Sequence, residues 1–168
     1  MAHIQPAPGP VIKGAYLAVV NDIVNTVAQN VFLAVFNPTT SGIIMNAIQL
    51  ASGSYATGSS STPDSFLVSR ITAVSGGTQQ TPSAVSRYVT TMPDPKSQVF
   101  TGNPTVTFSN NPVFAHQPVI STGAGNGGQS IINSAASALV LPGQGLAFYT
   151  SAGNTNSFFN VVYAWTEF

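Results

Sequence analysis

The chain is cut into short apolar runs by clusters of glycine, proline, asparagine and serine, and this rhythm restricts the fold more than any other feature. β-Branched and aromatic residues gather at 11–20, 31–36, 43–51, 65–74, 85–90, 105–109, 113–120, 138–141, 145–150 and 158–166. Between them stand Asn37-Pro38, Ser52-Gly53, Gly76-Gly77, the stretch 92–95, Gly102-Asn103-Pro104 and Pro142-Gly143. Proline has no N–H for a ladder and glycine accepts the positive φ of a tight turn, so each cluster ends a strand. Many short strands at about 8–12-residue spacing predict an all-β, antiparallel sandwich or barrel. Residues 14–168 are long enough to close one domain around one core. Helix is expected nowhere beyond a turn or two, at 21–30 and 129–138, because neither stretch has apolar spacing of helical period.

The last run shows the strand period most clearly. Phe159, Val161, Tyr163 and Trp165 fall on one face, with Phe158, Asn160, Val162, Ala164 and Thr166 on the other. The first set is expected in the core. Other runs are apolar on both faces: residues 31–36 contain no polar side chain, and residues 43–51 contain only Asn46 and Gln49. A sandwich strand normally turns one polar face to water. Two-sided strands need a second cover, either from the chain's own arm or loops or from a neighbouring subunit, and the subunit is the expected one. Residues 1–13 read as an extended arm, since Pro6, Pro8 and Pro10 disfavour helix.

Charge points the same way. Only 5% of residues are charged, four acids and four bases, for a formal net charge of zero, against about 25% in an ordinary domain. Hydroxyls and amides must cover the surface instead. Near-zero net charge favours association, so the surface is expected to meet protein. Four scattered bases make no stripe for nucleic acid, and no apolar run reaches the ~18 residues of a membrane helix. The first ten residues lack the basic start of a signal peptide. No cysteine is present, and the glycosylation triplets at Asn37 and Asn103 are blocked by proline. Both features fit a protein made in bacterial cytoplasm.

Catalysis and metal binding need clustered titratable groups. The two histidines are His3, in the arm, and His116, and only Asp64 or Asp94 could serve a triad around the latter. No G-x-S-x-G elbow occurs. We expect no enzyme, no metal and no cofactor. Residues 123–128 match G-x-G-x-x-G, but no acid follows at the required distance, so a glycine-rich loop is expected. The aromatic residues mostly fall inside strand runs and are expected in the core; Tyr55 and Tyr88 flank loops and are candidates for contacting a ligand such as a sugar.

The C-terminal third reads Leu139-Val140-Leu141-Pro142-Gly143-Gln144-Gly145-Leu146-Ala147-Phe148, then a polar loop, then residues 158–167 ending in Thr166-Glu167. This order resembles the small β-sandwich virion proteins of tailed bacteriophages, of the capsid cement or decoration class. There a Leu-x-x-Pro-Gly-x-Gly turn leads into the penultimate strand, and an aromatic final strand closes on a Thr-Glu-like pair. Residues 32–38, 43–52 and 66–77 resemble the same order. The resemblance covers about residues 30–168. It implies a jelly-roll-like sandwich, a homotrimer, and binding across junctions of a major capsid protein in the virion. Expected interface residues are Ile4, Gln5, Pro8, Pro10 and Val11 of the arm, with Phe32, Phe36 and Ile44. The alternatives are a receptor-binding head of a tail fibre or spike, and a single jelly-roll capsid protein.

Overall fold

The computed structural model describes residues 11–25, 29–56, 66–109, 114–116, 128–133, 139–151 and 154–168. They form β1 (Gly14–Asn25), β2 (Val31–Asn37), β3 (Met45–Ala56), β4 (Phe66–Ser75), β5 (Thr78–Gln79), β6 (Ser86–Arg87), β7 (Gln98–Thr101), β8 (Thr105–Phe108), β9 (Phe114–His116), β10 (Gly128–Asn133), β11 (Leu139–Val140), β12 (Gln144–Thr150) and β13 (Asn154–Glu167). A short 3₁₀ turn, Pro82–Ala84, precedes β6.

Pairing follows one rule. β1 lies against β13, β2 against β12, β3 against β10, and β4 against β9 at its start and β8 at its end, all antiparallel. The second half of the chain thus retraces the first, as one long hairpin rolled up. The roll is closed by β3 against β13 and β4 against β12. Two sheets result, ordered β10-β3-β13-β1-β6 and β5-β7-β2-β12-β4-β8, with β11 beside β3 and β9 beside β4. This is the antiparallel sandwich the strand rhythm predicts, with the strand order of a jelly roll.

The core fills the space between the sheets. From the first sheet come Tyr16, Ala18 and Val20 of β1 and Phe159, Val161, Tyr163 and Trp165 of β13. From the second come Phe32, Leu33, Val35, Val68, Leu146 and Phe148. The face of β13 expected inside is inside, and Tyr163 stacks on Trp165 with ring centroids 5.4 Å apart. A bulge sets part of this packing. Phe148 pairs with Leu33 and Tyr149 with Val31, skipping Phe32, so Phe32 and Leu33 both point inward. At the exit of β4, Gly76 and Gly77 adopt φ of +65° and +63°, which lets the chain cross to β5 without a Cβ penalty.

Several expectations are corrected. Strands at 78–79, 98–101 and 128–133 carry no clear signal of their own: one has two residues, one has four, and the last is half polar. Residues 129–133, read as a helical turn, belong to β10; their amides pair with β3. Residues 21–25 likewise extend β1. The run at 85–90 yields only the two residues of β6. The arm at 1–10 and the glycine-rich stretch at 123–127 lie outside the described residues.

Candidate interface on the outer face of the first sheet

The two-sided strand β2 is covered by its own chain. Val31, Phe32, Leu33, Ala34 and Val35 are all buried. On the outer face of the second sheet Val31, Ala34, Ile71, Phe100, Ala147 and Tyr149 form a cluster, with Phe36, Leu67 and Phe108 packed over it. Large rings roof small residues there: Phe108 lies 4.8 Å from Tyr149, whose hydroxyl shares a 3.0 Å hydrogen bond with Ser69. Phe32, expected at an interface, stacks on Phe159 at 5.1 Å inside the core and is closed to any neighbour. Phe36 is half-buried on the outer face.

The first sheet differs. Period two and the inward set fix its outward set: Leu17 and Val19 on β1, Val162, Ala164 and Thr166 on β13, and Asn46, Gln49 and Ala51 on β3. Ile48 joins them through a bulge, because Ala164 pairs with Gln49 and Trp165 with Ala47. β11 adds Leu139 opposite Asn46, and the same register brings Leu141 beside Ile44. None of these side chains is charged. Ile44, Ile48, Leu139 and Val19 are 40%, 39%, 51% and 45% exposed, and Leu141 is also exposed. The Asn46 Oδ1 is buried with no hydrogen-bond partner among the described residues, directly beneath this patch. Ile44, expected at an interface, is therefore on this face; its backbone pairs with that of Phe168 in both directions.

One cation reaches the rim of this patch, the Arg70 guanidinium, which donates to the Leu139 carbonyl at 2.9 Å; most other ions collect at the end where β1 begins and β13 ends. Arg87 is ion-paired with Asp94 and donates to the Met92 carbonyl at 3.2 Å. A cleft of about 360 Å³ is lined by Lys13, Tyr16, Ser41, Ile43, Pro93, Asp94, Lys96 and Glu167. Its acids are engaged. Glu167 is buried and accepts the N–H of Lys96 at 3.0 Å, the N–H and hydroxyl of Ser97 at 3.0 and 2.7 Å, and the indole N–H of Trp165 at 3.4 Å. The Tyr16 hydroxyl donates to the Pro93 carbonyl at 3.0 Å. The cluster therefore pins the segment 93–97 to the sandwich. Sequence reasoning passed over Glu167, yet the signal exists: it continues the inward phase of Phe159, Val161, Tyr163 and Trp165. A second tie is Asn37, whose amide donates to the carbonyls of Ile43 and Val140 at 2.9 and 3.0 Å while Ser41 donates to its oxygen.

The two candidate ligand tyrosines do not share a site. Tyr88 is exposed beside β6, its N–H donating to the Ala15 carbonyl at 3.1 Å. Tyr55 lies within β3, not in a loop, and pairs with Phe158. Ala15 pairs with Thr166, so the two positions are separated along β13 by eight residues, roughly 26 Å of strand. His116 sits in β9 opposite Phe66, and Asp94 is held by Arg87. Asp64, His3, Ile4, Gln5, Pro8 and Pro10 lie outside the described residues; Val11 is largely exposed. Among the described residues no group of three His, Cys, Asp or Glu side chains could hold a metal.

Fold and surface together define a jelly-roll β-sandwich with an uncharged, partly aliphatic outer face on one sheet. No family model, no curated protein and no solved structure matches the chain.

Proposed function

We propose that the chain is a non-enzymatic structural protein of a virus particle, acting as a capsid cement or decoration protein through contact with its own copies and with a shell protein. The observation that carries this reading is the aliphatic outer face of the first sheet, with Ile44, Ile48, Leu139 and Leu141 exposed. Scattered surface apolar residues are ordinary, but a group of exposed aliphatic side chains with one cation at its rim, Arg70 on the Leu139 carbonyl, suits a surface that meets protein. The composition supports the same reading, since few ions keep copies apart.

The test places charge on that face. The pair Ile48→Lys and Leu139→Lys leaves the core untouched, so the melting temperature should hold within a few degrees. Sedimentation of the purified chain should show association that the pair weakens at least tenfold, and binding to particles should fall with it. A chain that stays monomeric at every concentration and ignores particles overturns the proposal.

A second reading is a shell-forming single jelly roll, and the strand order favours it, because that topology is common in viral shells. Fold alone does not assign function. Closed shells formed by the purified chain, seen by electron microscopy, would select it over cement.

A further inference from the structure

We propose that the outer edge of β1 takes an added strand from the N-terminal arm, residues 5–11, of a second copy. The inference rests on the self-association reading above and names the contact that makes it.

The edge is open. The Ala15 carbonyl accepts from Tyr88, and Leu17 pairs with Ser86, so alternate residues of β1 turn their backbone groups outward. By the same period the next is Val19. There β6 has ended, and the chain before it is the 3₁₀ turn Pro82–Ala84. From Val19 onward β1 has no edge partner among the described residues. An unpaired row of N–H and C=O groups is a template for strand addition. A groove of about 380 Å³ runs beside it, bounded by Val19 and Asn21 on one side and Gln80 and Thr101 on the other, with Val85 and Val99 buried at its floor.

The arm has the matching half. Pro6, Pro8 and Pro10 alternate, so in an extended strand they all face one edge, which offers no donor. Gln5, Ala7, Gly9 and Val11 then present every N–H on the other edge. Such a strand pairs on one side only and ends the sheet it joins. It also carries Ile4 and the three prolines on one face, an apolar row suited to the groove. At its root Val11 and Ile12 are exposed in the single chain, uncovered by their own sandwich.

The arm cannot serve its own β1. The start of that edge is filled by β6, and Val11 to Val19 is roughly 26 Å of strand. The six residues 5–10 span at most about 20–22 Å. Folded back, this segment does not reach Val19 of its own chain, so the donor is another copy.

The experiment uses the full chain. Ala7→Pro with Gly9→Pro removes donors from the pairing edge of the arm, outside the sandwich, and Pro8→Ala alters only the opposite edge. Sedimentation velocity should show the wild type associating, the double proline variant weakened at least tenfold, and Pro8→Ala still associating. Val19→Pro should reproduce the weakening; if it fails to fold, the arm variants decide alone. Association of the double proline variant equal to that of wild type overturns arm exchange while leaving self-association standing. A wild type that is monomeric throughout overturns both.

Discussion

Ser97 gives both its backbone N–H and its hydroxyl to one carboxylate oxygen of Glu167, at 3.0 and 2.7 Å, across the gap between the 93–97 segment and the end of β13. The same oxygen takes the indole N–H of Trp165, two residues earlier on the strand. A buried carboxylate is tolerated here because donors replace its water.

Glu167→Ala should destabilise the fold by at least about 3 kcal/mol, since it strands several buried donors that cost about 1–3 kcal/mol each. Glu167→Gln keeps one carbonyl acceptor and should lose less. Urea unfolding of the three proteins checks the order.

Trp165→Ala removes the ring that packs on Tyr163 at 5.4 Å and Tyr16 at 5.7 Å. Truncation of a fully buried aromatic costs about 3–5 kcal/mol, the transfer term plus the cavity. Thermal or urea unfolding reads it; a loss below about 1 kcal/mol would mean that the ring is not buried.

Gly145 sits where three strands meet. A Cβ there would lie 2.6 Å from the Val35 carbonyl oxygen and 2.9 Å from side-chain atoms of Ile71 and Phe36. Gly145→Ala should therefore cost about 1–3 kcal/mol as overpacking, although the same change usually stabilises a strand. Denaturant midpoints of variant and wild type decide the sign.

Tyr163 predicts an alkaline limit. Its hydroxyl is buried without a partner among the described residues, and burial pushes its ionisation well above the usual tyrosine range. Burial also raises that of Tyr16, helped by Glu167. The unfolded chain releases these protons near pH 10 while the folded chain holds them. Stability is thus complete below about pH 10 and falls as pH rises beyond it. Tyr163→Phe should be neutral or stabilising at pH 7 and should flatten the alkaline fall, with Tyr16 supplying the remainder. Unfolding curves between pH 7 and 11 test both parts.

Where a strand was long and alternating, the sequence was sufficient to read it. The inward set of β13 follows from period two alone, because burial of one pleat face needs no knowledge of the partner strand. Short strands escaped: Gln98–Thr101 and Thr78–Gln79 exist only because β2 and then β7 offer them a ladder. Part of the candidate interface was legible. Ile44 could be placed by its apolar run, but Leu139 and Leu141 reach the same patch only through the pairing of β11 with β3. Phe32 was misplaced for a local reason, since one skipped residue in the ladder turns it inward.

By itself the sequence determined an all-β chain, the strands that supply the core, and a surface with few ions, since these depend on local periodicity, turn chemistry and composition. Only the tertiary structure decided that the strands pair as a rolled hairpin, that the greasy second face of β2 is covered from within, and that the described residues leave aliphatic side chains of one outer face and one strand edge uncovered. Those outcomes depend on register between residues far apart in the chain, and register is fixed by packing, not by any stretch of sequence read alone.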